Sequence, residues 1–390
     1  MSSPIAQAFC LRDGRRNFVI NVRASEEDRS FYFGQMRLND ELVTGARQSF
    51  AMGIPPKLYM LGQYGAGKTH TLFNLKYRLQ EEPQTVPLPY TVKCELVECE
   101  FRKKTDFAYL YSQMMNAIGL DAVRNEVKGF IQSNATSNVE VLLKQHFGDD
   151  NVARVLHNLA LGGNAIALWK WLCGIGLPSS ELSTLQLPKN LDTVHEMTQA
   201  LVSMGRLFQK RQVNFLFMLD ELEGCSNVTD PDAQESIHDG FRKLASDDND
   251  SIGFIVSLMC RSEEEAPNFI MRSDILSRIG RGNVKWLNYL QEETDVEHFL
   301  RDLLNRLVDP AKKAQAESDG TIASGLSWYP FTDAAKASFV DLPVRAPTAS
   351  TPRNIIKAVN ECAARAQQRG SRTIDTQDLE PANQIFVETA

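Results

Sequence analysis

The run Gly62-Gln63-Tyr64-Gly65-Ala66-Gly67-Lys68-Thr69 constrains this chain more than any other segment, because it fits G-x-x-x-x-G-K-[ST] in full. Such a loop needs glycines so that the backbone can wrap a phosphate with its N–H groups, and it needs a helix starting near Gly67 to aim a positive dipole end at the same place. A lysine at position 68 reaches the β- and γ-phosphates, and the Thr69 hydroxyl can ligate Mg2+. The flanks agree: Lys57 to Leu61 reads as a strand entering the loop, and Thr69 to Leu79 reads as a helix leaving it. Residues 62–69 and the adjoining His70 therefore form the predicted nucleotide-contacting run, with no chemical role given to His70.

Strand and helix patterns alternate from there on, the signature of a parallel α/β sheet. Tyr90 to Phe101, Val213 to Leu219 and Ser251 to Met259 read as further strands, the last two apolar throughout as buried parallel strands are. Between them, residues 121–190 are helical, punctuated by glycine, and look like an insertion. Within it, Asn158 to Leu177 is apolar over about the length of a membrane span. Lys170, two asparagines and four glycines make it a buried helical hairpin instead. Beyond Asn283 the chain turns helical, with Pro310 to Pro330 reading as a loop, which sets a boundary near residue 288. The expected organisation is an N-terminal arm (1–29, basic through Arg12, Arg15, Arg16 and Arg23), an α/β core (30–288) and a helical lid (289–390).

The apolar strand ending at Asp220-Glu221 supplies the second half of the chemistry. Beside a phosphate loop, one acid must hold the metal and the next can polarise an attacking water, so Asp220 is assigned with Thr69 to Mg2+ and Glu221 to the general base. The retained Glu221 argues for hydrolysis of ATP to ADP and phosphate.

Other P-loop classes are tested by their own markers. An LSGGQ-like signature and an N-K-x-D guanine reader are both absent from the sequence. Ser277-Arg278-Ile279-Gly280-Arg281-Gly282 echoes a helicase motif but follows Asp220 too closely for a second motor domain to intervene. The order of strand, short helix, arginine, strand and helical lid instead resembles AAA+ ATPases of the initiator type, related to origin-recognition proteins. The segments LGQYGAGKTHTL, ALWKWLCGIGLPSSEL, FMLDELEG and STPRNIIKAVNECAARA look most like the ATP-binding components of bacterial BREX-type phage-defence islands.

The resemblance spans about residues 30 to 385. It implies an AAA+ P-loop NTPase core with a helical insertion and a C-terminal helical lid, forming a homo-oligomer with ATP between subunits. It makes Arg278 the arginine finger, with Arg281 as second choice, and Arg353 the second sensor. Arg353 has an independent case: Ser350 or Thr351 can cap, and Pro352 can open, a helix that carries it in its first turn. For the first sensor, at the end of the strand after the acidic pair, Ser257 and Arg261 are both available and Arg261 is favoured.

The implied partners are DNA and a helicase, nuclease or other defence-island protein, with the ATP state controlling their recruitment. A STAND-like switch acting through protein contacts alone is the alternative. A net charge of −7 weakens the DNA reading without removing it, because one basic surface suffices. Seven scattered cysteines, without a C-x-x-C pair, and a start lacking a secretory pattern lead us to expect a reduced, cytoplasmic protein outside the membrane.

Overall fold

The computed structural model describes residues 3–32, 36–82, 88–134, 139–147, 149–288 and 290–389. In chain order the first elements are α1 (Pro4–Ala8), α2 (Glu26–Arg29), α3 (Met36–Ala51), β1 (Lys57–Gly62) and α4 (Lys68–Lys76), which runs on as a π-helical turn, Tyr77–Glu81. Next come β2 (Thr91–Glu98), α5 (Phe107–Ile118), α6 (Leu120–Ser133), α7 (Val139–Phe147), α8 (Asp150–Leu161), α9 (Ala165–Leu172) and α10 (Ser179–Thr184). They are followed by α11 (Val194–Gln209), β3 (Val213–Asp220), α12 (Pro231–Ala245), β4 (Ile252–Met259), α13 (Ser273–Ile279) and β5 (Val284–Leu287). Five helices complete the chain: α14 (Glu293–Leu307), α15 (Pro310–Ser318), α16 (Asp333–Arg345), α17 (Pro352–Gln368) and α18 (Glu380–Thr389).

The strands form one sheet in the order β2-β3-β4-β1-β5. β3 lies between β2 and β4 and is parallel to both, pairing Glu98 with Asp220 on one side and Leu219 with Val256 on the other. Buried on both faces, it needs no alternation of polar residues, which is why VNFLFML carries none after Asn214.

The chain divides into two compact units. One comprises Met1–Asp40, Gly62–Asn74 and Leu287–Ala390; the other comprises Glu41–Leu61 and Leu75–Trp286. Each has its own apolar core. The second unit packs the faces of β3 and β4 against α5, α11 and α12, and the core continues into the helical insertion through Val127, Leu156, Leu168 and Trp171. Gly240 is required here, since a Cβ on it would stand 1.9 Å from the Phe107 ring. Met114 and Met115 are fully buried core residues, while Trp171 is buried with its indole N–H donating to the Lys189 carbonyl.

Among its described residues the insertion consists of helices joined by turns and loops, without a strand, and Asn158 to Leu177 is the expected hairpin of α8 and α9, turned at the left-handed Gly162. Among the described residues no helix is long and apolar enough to cross a membrane.

The core of the first unit joins α14, α16, α17 and α18 to Phe9, Leu11 and Phe18 of the N-terminal segment. Residues 3–29 are thus built into the lid's own core: Asn360 on α17 accepts from the Phe18 N–H and donates to its carbonyl, both at 2.9 Å. The expected loop over 310–330 needs correction in its first half. Asp309 caps and Pro310 opens α15, a start signal that outweighs the segment's weak apolar periodicity.

Candidate functional site

The phosphate loop joins the end of β1 to the start of α4. Gly65 and Gly67 take φ of 83° and 97°, left-handed values that side chains rarely adopt, so the two glycines are what let the loop turn back on itself. Lys68 Nζ donates to the carbonyls of Gly62 and Gln63, at 2.8 and 2.9 Å, and so sits over its own loop. The Thr71 N–H closes the first turn of α4 onto the Gly67 carbonyl at 2.8 Å, leaving the preceding N–H groups at a helix start.

Within the same unit, the first turn of α17 meets this loop. Thr351 is the N-cap, accepting from the Asn354 N–H at 3.2 Å, while the Ser350 hydroxyl donates to the Leu290 carbonyl. That division of labour settles which of the two polar residues caps the helix. The Arg353 N–H reaches the Gly65 carbonyl at 3.4 Å, and its guanidinium lies 4.0 Å above the centre of the Tyr64 ring. A Cβ at Gly65 would stand 3.0 Å from both Arg353 Cβ and Thr351 Oγ1, so the lid helix touches the loop at a point where only glycine fits.

Behind the loop, Tyr32, Gly67, His70 and Pro352 help to line a small cavity of about 40 Å3. The His70 Nε2–H donates to the Phe31 carbonyl at 2.6 Å, and the ring meets that of Tyr32 edge on. Burial lowers its pKa from the usual histidine value, a change partly offset by the Phe31 carbonyl and by the charge of Asp28.

The acidic strand end belongs to the other unit. Asp220 closes β3 with only 1% of its surface exposed, and one carboxylate oxygen accepts from the Glu221 N–H at 3.0 Å. Glu221 is exposed and left-handed at φ 57°, a strained conformation for a residue with a Cβ. The following 3-10 turn, Leu222–Asn227, returns Glu223 to the end of β4, where its carboxylate accepts from the Met259 N–H at 3.0 Å.

Ser257 lies one residue beyond the Leu219–Val256 pair, on the strand beside Asp220. It is fully buried, and its hydroxyl has no hydrogen-bond partner among the described residues. Arg261 lies past the end of β4, exposed, with its N–H on the Glu265 carboxylate. Arg278 in the last turn of α13 and Arg281 in the turn after it are both exposed.

The structure thus brings residues 62–70 together with Arg353, and sets Asp220 and Glu221 beside Ser257. It leaves Arg261, Arg278 and Arg281 at the surface of their unit. Sequence reasoning missed two features. The Tyr64–Arg353 stack carries no sequence signal, since it joins residues far apart in the chain. Glu223 could have been found as a third acid after the strand, but only its contact with Met259 gives it a task.

Within the first unit, the loop offers backbone donors and a lysine in a glycine-shaped turn and the lid offers a guanidinium, a donor set that fits the phosphates of a nucleotide. In the second unit, Asp220 offers a carboxylate of the kind that holds a divalent cation.

No family model and no curated protein matches the sequence. Among solved structures, the chain is similar to the ORC2 protein of Aeropyrum pernix in its ADPNP–ADP complexes, at 13% identity and TM-score 0.51, covering 97% of this chain and 73% of that one. Looser likenesses, which add nothing to the argument, are Cdc6p from Pyrobaculum aerophilum (13% identity, 93% and 68% covered, TM-score 0.45) and the RuvB Holliday junction branch migration motor of Thermotoga maritima (12% identity, 96% and 72% covered, TM-score 0.40). The class defined by the sheet and the loop is the α/β P-loop NTPase. Within it, the chain shares the fold of the A. pernix protein.

Proposed function

We propose that this chain is a Mg2+-dependent ATPase of the initiator-like AAA+ type, and that its ATP state governs recruitment of a DNA-processing partner. The observation that carries the reading is the seating of the lid helix on the phosphate loop. Arg353 and Thr351 close on Gly65, so the loop's occupancy and the lid's position are linked through a contact with no slack.

In this reading the backbone N–H groups of residues 65–69 and the Lys68 ammonium bind the phosphates, with Gly62, Gln63 and Ala66 shaping the turn. Lys68 exchanges its two loop carbonyls for phosphate oxygens, a charge-assisted replacement for neutral acceptors. Thr69 and Asp220 hold Mg2+, which when bound neutralises charge on the β- and γ-phosphates. Glu221 accepts the proton of the attacking water. Arg353 leaves Tyr64 for the γ-phosphate, and Tyr64, 67% exposed, is then free to stack on another planar group.

Arg278, or failing it Arg281, completes a neighbouring subunit's site in a homo-oligomer, as exposure at a helix end permits. For the first sensor, Ser257 now competes with Arg261 on the strength of its buried hydroxyl beside Asp220. The likeness of several segments to BREX-type components motivates assigning the protein to phage defence in the cytoplasm, with a helicase, nuclease or other defence-island protein as its partner.

The test is ATP turnover by wild type and Glu221→Gln. Removing a general base should slow hydrolysis by roughly 10²–10⁴-fold while ATP binding persists. Equal turnover by the two proteins would remove Glu221 from the chemistry, and absence of ATP binding by the wild type would end the proposal.

A further inference from the structure

A cavity of the first unit lies away from the phosphate loop. It has a volume of about 840 Å3 and is walled by the N-terminal segment around residues 6–16, by α15 and by Arg372. Its charged lining is Arg12, Arg15, Arg16, Lys312 and Arg372 against Asp13 and Asp319. Five cations facing two carboxylates is a marked local reversal in a chain whose net charge is −7.

The two carboxylates are already engaged: Asp13 accepts from Lys312 at 2.7 Å, and Asp319 accepts from the Thr321 N–H at 3.0 Å and from its hydroxyl. Arg15 is held by Asp28 and Glu27, outside the cavity lining. The Arg12 guanidinium donates to the Asn305 carbonyl at 3.4 Å, and its buried Nε has no hydrogen-bond partner among the described residues. Arg16 and Arg372 are exposed, and among the described residues neither makes an ion pair at contact distance, though the charge of Arg372 helps the Thr321 hydrogen bonds to hold the Asp319 carboxyl below its ordinary value. The lining therefore carries more positive charge than its own carboxylates balance, most openly at Arg16 and Arg372.

We infer that this cavity grips the phosphates of a nucleic-acid strand, DNA in the setting proposed above, so the inference rests on that reading for its partner. The lining decides between ligand classes. A pocket for a free nucleotide is mostly apolar and offers aromatic faces to the base, whereas none of the described residues lining this one is aromatic. Cations without stacking partners suit backbone phosphates and give binding without sequence preference.

The wall also connects to the lid. The Arg12 N–H donates to the Leu307 carbonyl at the end of α14, and Phe18 is tied to Asn360 on α17, the helix whose first turn carries Arg353. Force or order imposed on the arm by a bound strand is thus delivered to the helix that touches the phosphate loop.

The experiment is fluorescence anisotropy of labelled single-stranded and duplex DNA with the full chain, with ATP and across a salt series, comparing wild type, Arg16→Glu/Arg372→Glu and Arg16→Lys/Arg372→Lys. The glutamate variant should bind at least about tenfold more weakly at low salt, and its slope of log affinity against log salt should be shallower by about two. The lysine variant should bind like wild type. Circular dichroism melting of all three checks folding.

Identical binding by folded wild type and glutamate variant would overturn the assignment. So would saturable binding of inorganic pyrophosphate by a wild type that ignores both DNAs. ATP turnover measured in parallel separates the two proposals. Turnover without DNA binding sinks the cavity and spares the ATPase, while cavity-dependent DNA binding without turnover does the reverse.

Discussion

Two arginine positions of this molecule stand in opposite circumstances. Arg353 lies over the Tyr64 ring of its own phosphate loop, with its backbone on Gly65. Arg278 and Arg281 stand exposed at the tip of α13. The physical cause is local. Arg353 enters on the first turn of a helix fixed by a threonine cap, a proline and a glycine contact, so its direction is determined by packing. The residues after Ile279 pass through Gly280, at φ 86°, into a short turn that buries none of its side chains. An arginine held in place can serve its own subunit, whereas one presented to solvent is suited to another's. The contrast is the one the proposed function calls for, with Arg353 acting within its chain and Arg278 or Arg281 acting between chains.

The sharpest way to break that assignment is subunit mixing. Arg278→Ala and Lys68→Ala should each abolish most turnover, the first by roughly 10³-fold or more if it is a finger acting in trans. Only the first should still bind ATP. Mixed together, they should recover part of the activity, because some interfaces then pair an intact loop with an intact arginine. No recovery over a range of mixing ratios would return Arg278 to the surface and bring Arg281 forward for the same test.

What the sequence made legible follows from the range of the interactions involved. The phosphate loop was readable because its chemistry is written in eight consecutive residues, and the strand ending in Asp220 because a run buried on both faces must be apolar. The α8–α9 hairpin was readable from Lys170 and its glycines. Arg353 was readable as a position, through Thr351 and Pro352, but its stacking on Tyr64 depends on a fold that brings residue 64 to residue 353. The place of residues 3–29 in the lid's core was equally hidden, since a few apolar residues among arginines look like an arm until Asn360 is seen to bracket Phe18. Ser257 was undervalued for a similar reason: a serine in an apolar strand gives no hint that its hydroxyl is buried beside Asp220 without a partner among the described residues.

A smaller effect is expected at the point of contact itself. Gly65→Ala adds a Cβ at φ 83° and 3.0 Å from Arg353 Cβ and Thr351 Oγ1, so it must strain the loop and push the lid helix away. A residue forced into such a conformation costs about 1–3 kcal/mol, which corresponds to roughly 5–150-fold in nucleotide affinity if the folded loop alone bears it. Titration with a fluorescent ATP analogue measures the loss. Affinity equal to wild type would mean that loop and lid separate freely, and would cancel the coupling on which the proposed switch depends.

The smallest effect tests the same region through acid rather than sterics. His70 lies on the first turn of α4 with its pKa held below the ordinary 6.5 by burial, so the folded protein resists a proton that the unfolded chain accepts. A depressed value in the folded state means stability is complete above about pH 6.5 and is lost as pH falls toward and through the folded value. His70→Gln removes that loss, so wild type should melt progressively earlier than the variant between pH 7 and 5, by about 2–4 °C for each kcal/mol involved. The helix N-terminus contributes in the same direction, because its positive end disfavours a second cation. Phosphate charge at the loop opposes both influences, so ADP should flatten the wild-type pH dependence while leaving the glutamine variant unaffected. Melting curves with and without ADP therefore report where the phosphates lie relative to His70. A wild-type slope untouched by saturating ADP would place the nucleotide away from this loop and dissolve the contrast between a cation serving its own subunit and cations offered to a neighbour.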